Sequence, residues 1–163
     1  ELVIRGTNAP SKFLESISLE VSEKANCPVI MVPENVSQPP IRRILYAMAL
    51  EGQETDCLDE LVQLAQAWEV ELYCVHLDVL GKGQDINQKV LADLEAYEKA
   101  GKLQFTRRNS KDLVYGLNQV AKELDAHLLV VHPHNAHPFP SPLHRTSLTS
   151  ELLERIERPF CTF

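Results

Sequence analysis

Short runs of Val, Ile and Leu alternate along the chain with longer stretches in which apolar residues return every three to four positions. That alternation predicts parallel strands joined by helices, an α/β fold. The runs predict strands at Leu2–Arg5, Val29–Val32, Arg43–Met48, Val70–Leu77, Leu103–Arg107, Leu128–His132 and Phe160–Phe163. Most are continuously apolar, as strands covered on both faces should be. Between them, Leu58, Leu61, Val62, Ala65 and Trp68 mark one face of a helix, and Ile86, Val90, Leu94 and Tyr97 mark a second that Gly101 can end. Leu113, Leu117, Val120 and Leu124 mark a third. A fourth runs through Leu148, Leu152 and Ile156, with Thr146 or Ser147 placed to cap it and Pro159 closing it before the last strand.

The segment 34–40, ENVSQPP, is polar, carries adjacent prolines and has no periodicity, which reads as a linker. Residues 41–163 then hold a complete alternation of five strands and four helices, whereas residues 1–33 hold only strand, helix, strand. A fragment that small cannot cover both faces of its own sheet and must dock on something. An internal repeat explains it. Val3, Asn8 and Ala9 recur 127 residues later as Val130, Asn135 and Ala136, and Ser16, Glu20, Glu23 and Pro28 recur at an offset of 131 as Ser147, Glu151, Glu154 and Pro159. The pieces keep the order strand, turn, helix, proline, strand. Residues 1–33 therefore read as the end of a first domain and 41–163 as a whole second copy.

With 163 residues the chain has room for about one domain of ordinary size. The formal net charge of −7 disfavours nucleic acid as a partner. No apolar run reaches the ~18 residues of a membrane-spanning helix. The four cysteines, Cys27, Cys57, Cys74 and Cys161, lie far apart in apolar stretches, so the expectation is reduced, mostly buried thiols in a cytoplasmic protein. Because the sequence begins at Glu1 rather than Met, with no signal peptide, a trimmed or partial chain is expected.

The stretch ELVIRGTNAPSKFLESISLEVSEKANCPVIMVP resembles the end of a universal stress protein domain: a strand, a G-T-N turn, a helix, then C-P-V-x-x-V-P. RRILYAMAL resembles the start of the next domain, VELYCVHLDV its second strand with His76, and AKELDAHLLVV the approach to its fourth. The chain is thus similar to the tandem form of that family. The resemblance implies a doubly wound parallel five-stranded sheet of flavodoxin-like or Rossmann-like type, extended here by the amino-terminal strand–helix–strand. It also implies a cytoplasmic stress-response module rather than an enzyme. Its partners would be a second copy or the other domain of the same chain, met through the last strand, and other proteins not identifiable from the sequence. Val29–Val32 would then pair with Phe160–Phe163.

ATP-binding members of that family hold phosphates on a turn of pattern G-x-x-G-x9-G-[ST], where glycines let backbone N–H groups approach the ligand. The positions aligned with that turn are Pro133, Ala136, Thr146 and Ser147, so only the hydroxyl survives. Proline has no N–H and no access to positive φ, and Ala136 adds a Cβ. In the first copy they are Gly6, Ala9, Glu15 and Ser16, and Glu15 would set a carboxylate beside phosphate. The acidic residue that members carry after the first strand falls at Ala49, and Leu77 marks the matching end of the second strand. The reading is a degenerate nucleotide site with no cofactor, the alternative being ATP or AMP held in an altered way by Ser147 and the helix it starts.

A second alternative is a metal. His132, His134, His137 and His144 fall within thirteen residues, and imidazoles converging there could hold Zn2+. Their spacing matches no zinc motif, and Pro138, Pro140 and Pro142 spread them along an extended loop. Arg42, Arg43, Arg107 and Arg108 read as solvated charge at strand ends. Asp56, Asp59 and Glu60 read as complements to a helix dipole, and Ser110 and Asp112 as a cap and first-turn acid.

Overall fold

The structure, a computed structural model, describes residues 3–7, 20–21, 24–25, 27–33, 40–50, 54–79, 86–132 and 148–162. Seven strands form one sheet: β1 (Val3–Thr7), β2 (Val29–Pro33), β3 (Arg43–Met48), β4 (Glu71–Val79), β5 (Gln104–Ser110), β6 (Leu128–Val131) and β7 (Phe160–Thr162). Four helices pack on it: α1 (Thr55–Trp68), α2 (Gln88–Lys99), α3 (Leu113–Glu123) and α4 (Leu148–Arg155). Glu20, Val21 and Lys24 are also helical, and Lys24 pairs with Glu20 one turn away.

The strand order is β1-β2-β7-β6-β3-β4-β5. All neighbours run parallel except β2 and β7, which meet antiparallel. The five strands from β7 to β5 are the doubly wound unit expected for residues 41–163, and β1 and β2 continue the same sheet beyond β7. Val29 pairs with Thr162, Ile30 with Cys161 and Met31 with Phe160, so β2 and β7 meet within this chain.

Helices on both faces follow from the right-handed crossover between parallel strands. On one face α1 and α2 bury Leu58, Leu61, Val62, Ala65, Val90 and Leu94 over Ile44, Tyr46 and Cys74. On the other, α3 and α4 bury Val114, Leu117, Val120, Leu152 and Ile156 over Leu45, Val75 and Leu129, joined there by Val21 and Ala25. The caps are local. Asn87 accepts from Lys89 N–H and Val90 N–H to start α2, and Asp112 accepts from Tyr115 N–H to start α3. Ser110 is not the cap: its Oγ donates to Asp112 O and braces the turn. Gly101 closes α2 at φ 69, as expected.

The register corrects the repeat in one respect. Both Ile4 and Val130 pair with the residue at the centre of the β2–β7 contact, Ile30 and Cys161, so Ile4 and not Val3 is the counterpart of Val130. The offset there is 126. It is 131 in the helices, where Val21 and Ala25 take the places of Leu152 and Ile156. Among the described residues no helix is long and apolar enough to cross a membrane.

Candidate functional site

The chain runs outward from β3 to β4 and β5 on one side, then returns to add β6 and β7 on the other. The helices that follow β3 and β6, α1 and α4, lie on opposite faces, and in a doubly wound sheet the carboxyl ends of two such strands are where a binding crevice falls. The candidate site is built there from Met48, Ala49 and Leu50 after β3, His76 to Asp78 in β4, His132 after β6, and Glu54 at the start of α1.

Three backbone groups of the turn after β3 are occupied by the protein itself. The Ala49 N–H donates to Glu54 Oε1 at 2.7 Å. His76 Nδ1 lies 2.9 Å from Met48 O, and since a carbonyl can only accept, that nitrogen carries the proton. The Asn87 N–H donates to Leu50 O at 2.9 Å, tying the start of α2 to the same turn. Glu54 and His76 are each 1% exposed, so these polar groups are withdrawn from solvent along with the backbone they satisfy. Glu54 stands at the N-cap position of α1 but makes no cap bond with its side chain, which turns back to Ala49 instead. Leu50 is buried at φ 62, a conformation that a residue with a Cβ adopts at a cost of about 1–3 kcal/mol and keeps only when its surroundings enforce it.

A chain of polar side chains extends sideways from the turn. His76 Nε2 lies 3.3 Å from Asp78 Oδ1, and the Arg107 guanidinium contacts both Asp78 oxygens at 3.1 and 3.0 Å. The hydrogen bonds from Arg107 hold the Asp78 carboxyl below the usual carboxylate range. Beneath the turn lie Tyr46, Cys57 and Cys74. Burial pushes the Cys57 thiol up to about 11 and the Cys161 thiol up to about 12, and it also raises Cys74 and the Tyr46 hydroxyl. These thiols are held protonated at neutral pH, the inert state of a buried cysteine. All four cysteines are free, and only Cys27 is half-exposed rather than buried.

Of the candidate nucleotide and metal residues in 41–163, three are described. Ala49 follows β3 beside Leu77, which lies inside β4 two residues before its end, because Met48 pairs with His76, and His132 follows Val131, which β6 sets beside Ala47. The Leu77 side chain turns away from the α1 face and packs in the core under α3. Pro133, Ala136, Thr146, Ser147, His134, His137 and His144 lie outside the described residues. Among those described, no group of three or more His, Cys, Asp and Glu side chains is placed to hold a metal ion. By the corrected register Gly6, one step past Arg5, corresponds to His132, one step past Val131, rather than to Pro133. Arg43 belongs elsewhere: it pairs with Glu71 and Asp125 at the opposite ends of the strands.

The sequence reading passed over Glu54, Asn87, Asp78 and the pairing of Arg107. One signal was available for Glu54, since glutamate is a poor N-cap and stands where the apolar period of α1 demands one.

No family model matches the sequence, and no curated protein is recognisably similar to it. Solved structures are. A universal stress protein from Archaeoglobus fulgidus DSM 4304 superposes with a TM-score of 0.69 at 17% identity, over 99% of this chain and 61% of its own. A Pseudomonas aeruginosa UCBPP-PA14 protein described as a universal stress protein gives 0.64 at 14% identity over 99% of this chain and 62% of its own. A protein from Pseudomonas aeruginosa PAO1, described as functionally unknown, gives 0.60 at 15% over 99% and 62%. The chain thus spans less than two thirds of the length of each. At these identities the likeness is one of architecture, and the architecture is that of the universal stress proteins.

Proposed function

We propose that the chain is the larger part of a tandem universal stress protein: a cytoplasmic binding and pairing module that performs no turnover and whose second-copy cleft does not hold ATP in the family's usual way. Residues 1–33 are the end of the first domain, 34–40 the linker and 41–163 the second domain. One observation carries the reading of the cleft. In the turn after β3 the Ala49 N–H is used by Glu54, and Met48 O and Leu50 O each already accept one hydrogen bond, from His76 and from the Asn87 N–H. Ala49 itself has no polar side chain with which to hydrogen-bond a ribose or base. An unmade hydrogen bond to a buried group costs about 1–3 kcal/mol, so a ligand competing for those groups starts at a disadvantage. Pro133 and Ala136, at the positions the resemblance aligns with the phosphate turn, offer one N–H fewer and a Cβ in place of a glycine hydrogen.

Equilibrium titration with labelled ATP and AMP tests this. The expected outcome is no saturable binding tighter than ~1 mM. Affinity near ~1 µM that Ser147→Ala abolishes would show an intact phosphate turn and sink the proposal.

A further inference from the structure

We propose that His76 is a proton-operated latch on the turn after β3: with both ring nitrogens protonated it ties Met48 to Asp78, and on losing a proton it keeps Asp78 and lets Met48 go. What surrounds the ring decides this. Nδ1 lies 2.9 Å from Met48 O, and Nε2 lies 3.3 Å from Asp78 Oδ1. Both neighbours are acceptors, because a carbonyl carries no proton and Arg107, with the imidazole adding to it, holds the Asp78 carboxyl below the usual carboxylate range. Nε2 is buried, and without a proton of its own it has no hydrogen bond to make. His76 is 1% exposed, so solvent does not supply the missing donor. The ring that satisfies both contacts is the imidazolium.

A neutral ring has one proton for two acceptors. The carboxylate is the stronger claimant, since a hydrogen bond to an ionised group is about twice as strong as one between neutral groups. Arg107 fixes that carboxylate through both oxygens, at 3.1 and 3.0 Å, so Asp78 stays in place. The remaining proton therefore goes to Nε2, and Nδ1 turns a lone pair toward Met48 O. That contact is lost. Met48 leads through Ala49 into Leu50, whose φ of 62 persists only while its surroundings enforce it, and the turn is otherwise pinned by Glu54 on Ala49 N–H and by Asn87 N–H on Leu50 O. Acid closes the turn over the crevice and alkali loosens it, whatever the crevice binds.

The other titratable groups around the ring are Arg107 beside it on β5, Tyr46 on β3, Cys74 on its own strand, Glu54 and Cys57 at the start of α1, and His132 beyond Met48 in the same row. Burial raises Tyr46, Cys57 and Cys74, which stay protonated. Glu54 and His132 are untouched by a substitution at Asp78, which therefore isolates the ring.

Heteronuclear NMR of the histidine-labelled chain reads the proton on each ring nitrogen from about pH 5 to pH 8, alongside the Ala49 and Leu50 amide signals, with no nucleotide present. The inference expects both nitrogens to be protonated at the acid end, Nδ1 alone to lose its proton as pH rises, and both amide signals to move over the same interval. In Asp78→Asn the side-chain amide can donate to Nε2, so Nδ1 should keep its proton throughout and the two amides should hold their positions. Loss of the proton from Nε2 in the unsubstituted chain overturns the latch, as does a ring that does not titrate across this range. Amide signals that ignore the ring, or that follow it equally in Asp78→Asn, overturn it as well.

Discussion

Gly116 shows how closely α3 sits on the sheet. A Cβ there would lie 2.8 Å from Leu77 Cδ1 and from the Cβ and Oγ of Ser110. The leucine methyl can swing aside, but Ser110 cannot, because its hydroxyl braces the Asp112 turn. Gly116→Ala should therefore lower stability by about 1–3 kcal/mol despite the helix propensity it adds, read as a fall in the urea midpoint. An unchanged midpoint would mean that α3 rides higher on the sheet. At this scale the sequence was only partly legible. Buried cysteines and a terminating Gly101 follow from apolar context and turn chemistry. The roles of Glu54 and Asn87 do not, because each depends on a backbone group elsewhere in the chain, Ala49 N–H for Glu54 and the sequence-distant Leu50 O for Asn87, whose availability is decided by the fold. Asp59 is a further case: it reads as a helix-start acid, yet it accepts from Tyr97 OH at 2.6 Å and ties α1 to α2.

Asp112 serves two elements at once. It caps α3 and forms a two-bond pair with Arg155 at the end of α4, at 3.0 and 2.8 Å. Arg155, and then the Tyr115 N–H, hold its carboxyl below the usual range. A carboxyl whose folded value is depressed contributes stability that is present above its unfolded value, ~3.9, and is lost as pH falls through the folded one. The Asp78 and Glu71 carboxyls, lowered by Arg107 and Arg43, act in the same direction. Urea midpoints should therefore drop between about pH 5 and pH 2. Asp112→Asn, which keeps a good cap but loses the charge, should show a smaller drop. An identical pH profile in the variant would remove Asp112 from the account. The elements themselves were readable wherever burial leaves an apolar trace: all seven strands are found, and β3 matches residue for residue. The largest discrepancy is β5, expected at Leu103–Arg107 and found at Gln104–Ser110. It is an edge strand whose residues Arg107, Arg108 and Asn109 face solvent, and an exposed edge leaves no hydrophobic signature. β4 likewise runs two residues past Leu77, held by pairing through Val79 with Ser110.

For the whole molecule, the contact between β2 and β7 should be decisive. Removing residues 1–40 would uncover Phe160, Cys161 and Thr162, three buried residues on a bare edge. Residues 41–163 keep five strands and all four helices, and their last strand is already matched to an antiparallel partner of nearly its own kind. Such a chain should form a dimer through β7 in sedimentation at tens of micromolar, and Cys161→Lys should return it to monomer. A monomer without the substitution would mean that β7 needs Val29 to Met31 specifically. This pairing was legible in outline, because a short apolar final strand invites a partner. The centring on Ile30 and Cys161 was not, since a sequence repeat carries no information about which residues face each other across a two-fold.

That antiparallel junction also fixes direction. Strands β1 and β2 point opposite to the five that follow, so the carboxyl end of β1 opens on the far rim of the slab from Met48 and Val131. A ligand at the carboxyl end of β1 would lie on the opposite rim from one at the carboxyl ends of β3 and β6. Coupling between the two rims would cross the sheet through the pairing of Val29–Met31 with Phe160–Thr162 and through the core that Val21, Ala25, Val29 and Met31 share with Leu152, Ile156 and Phe160.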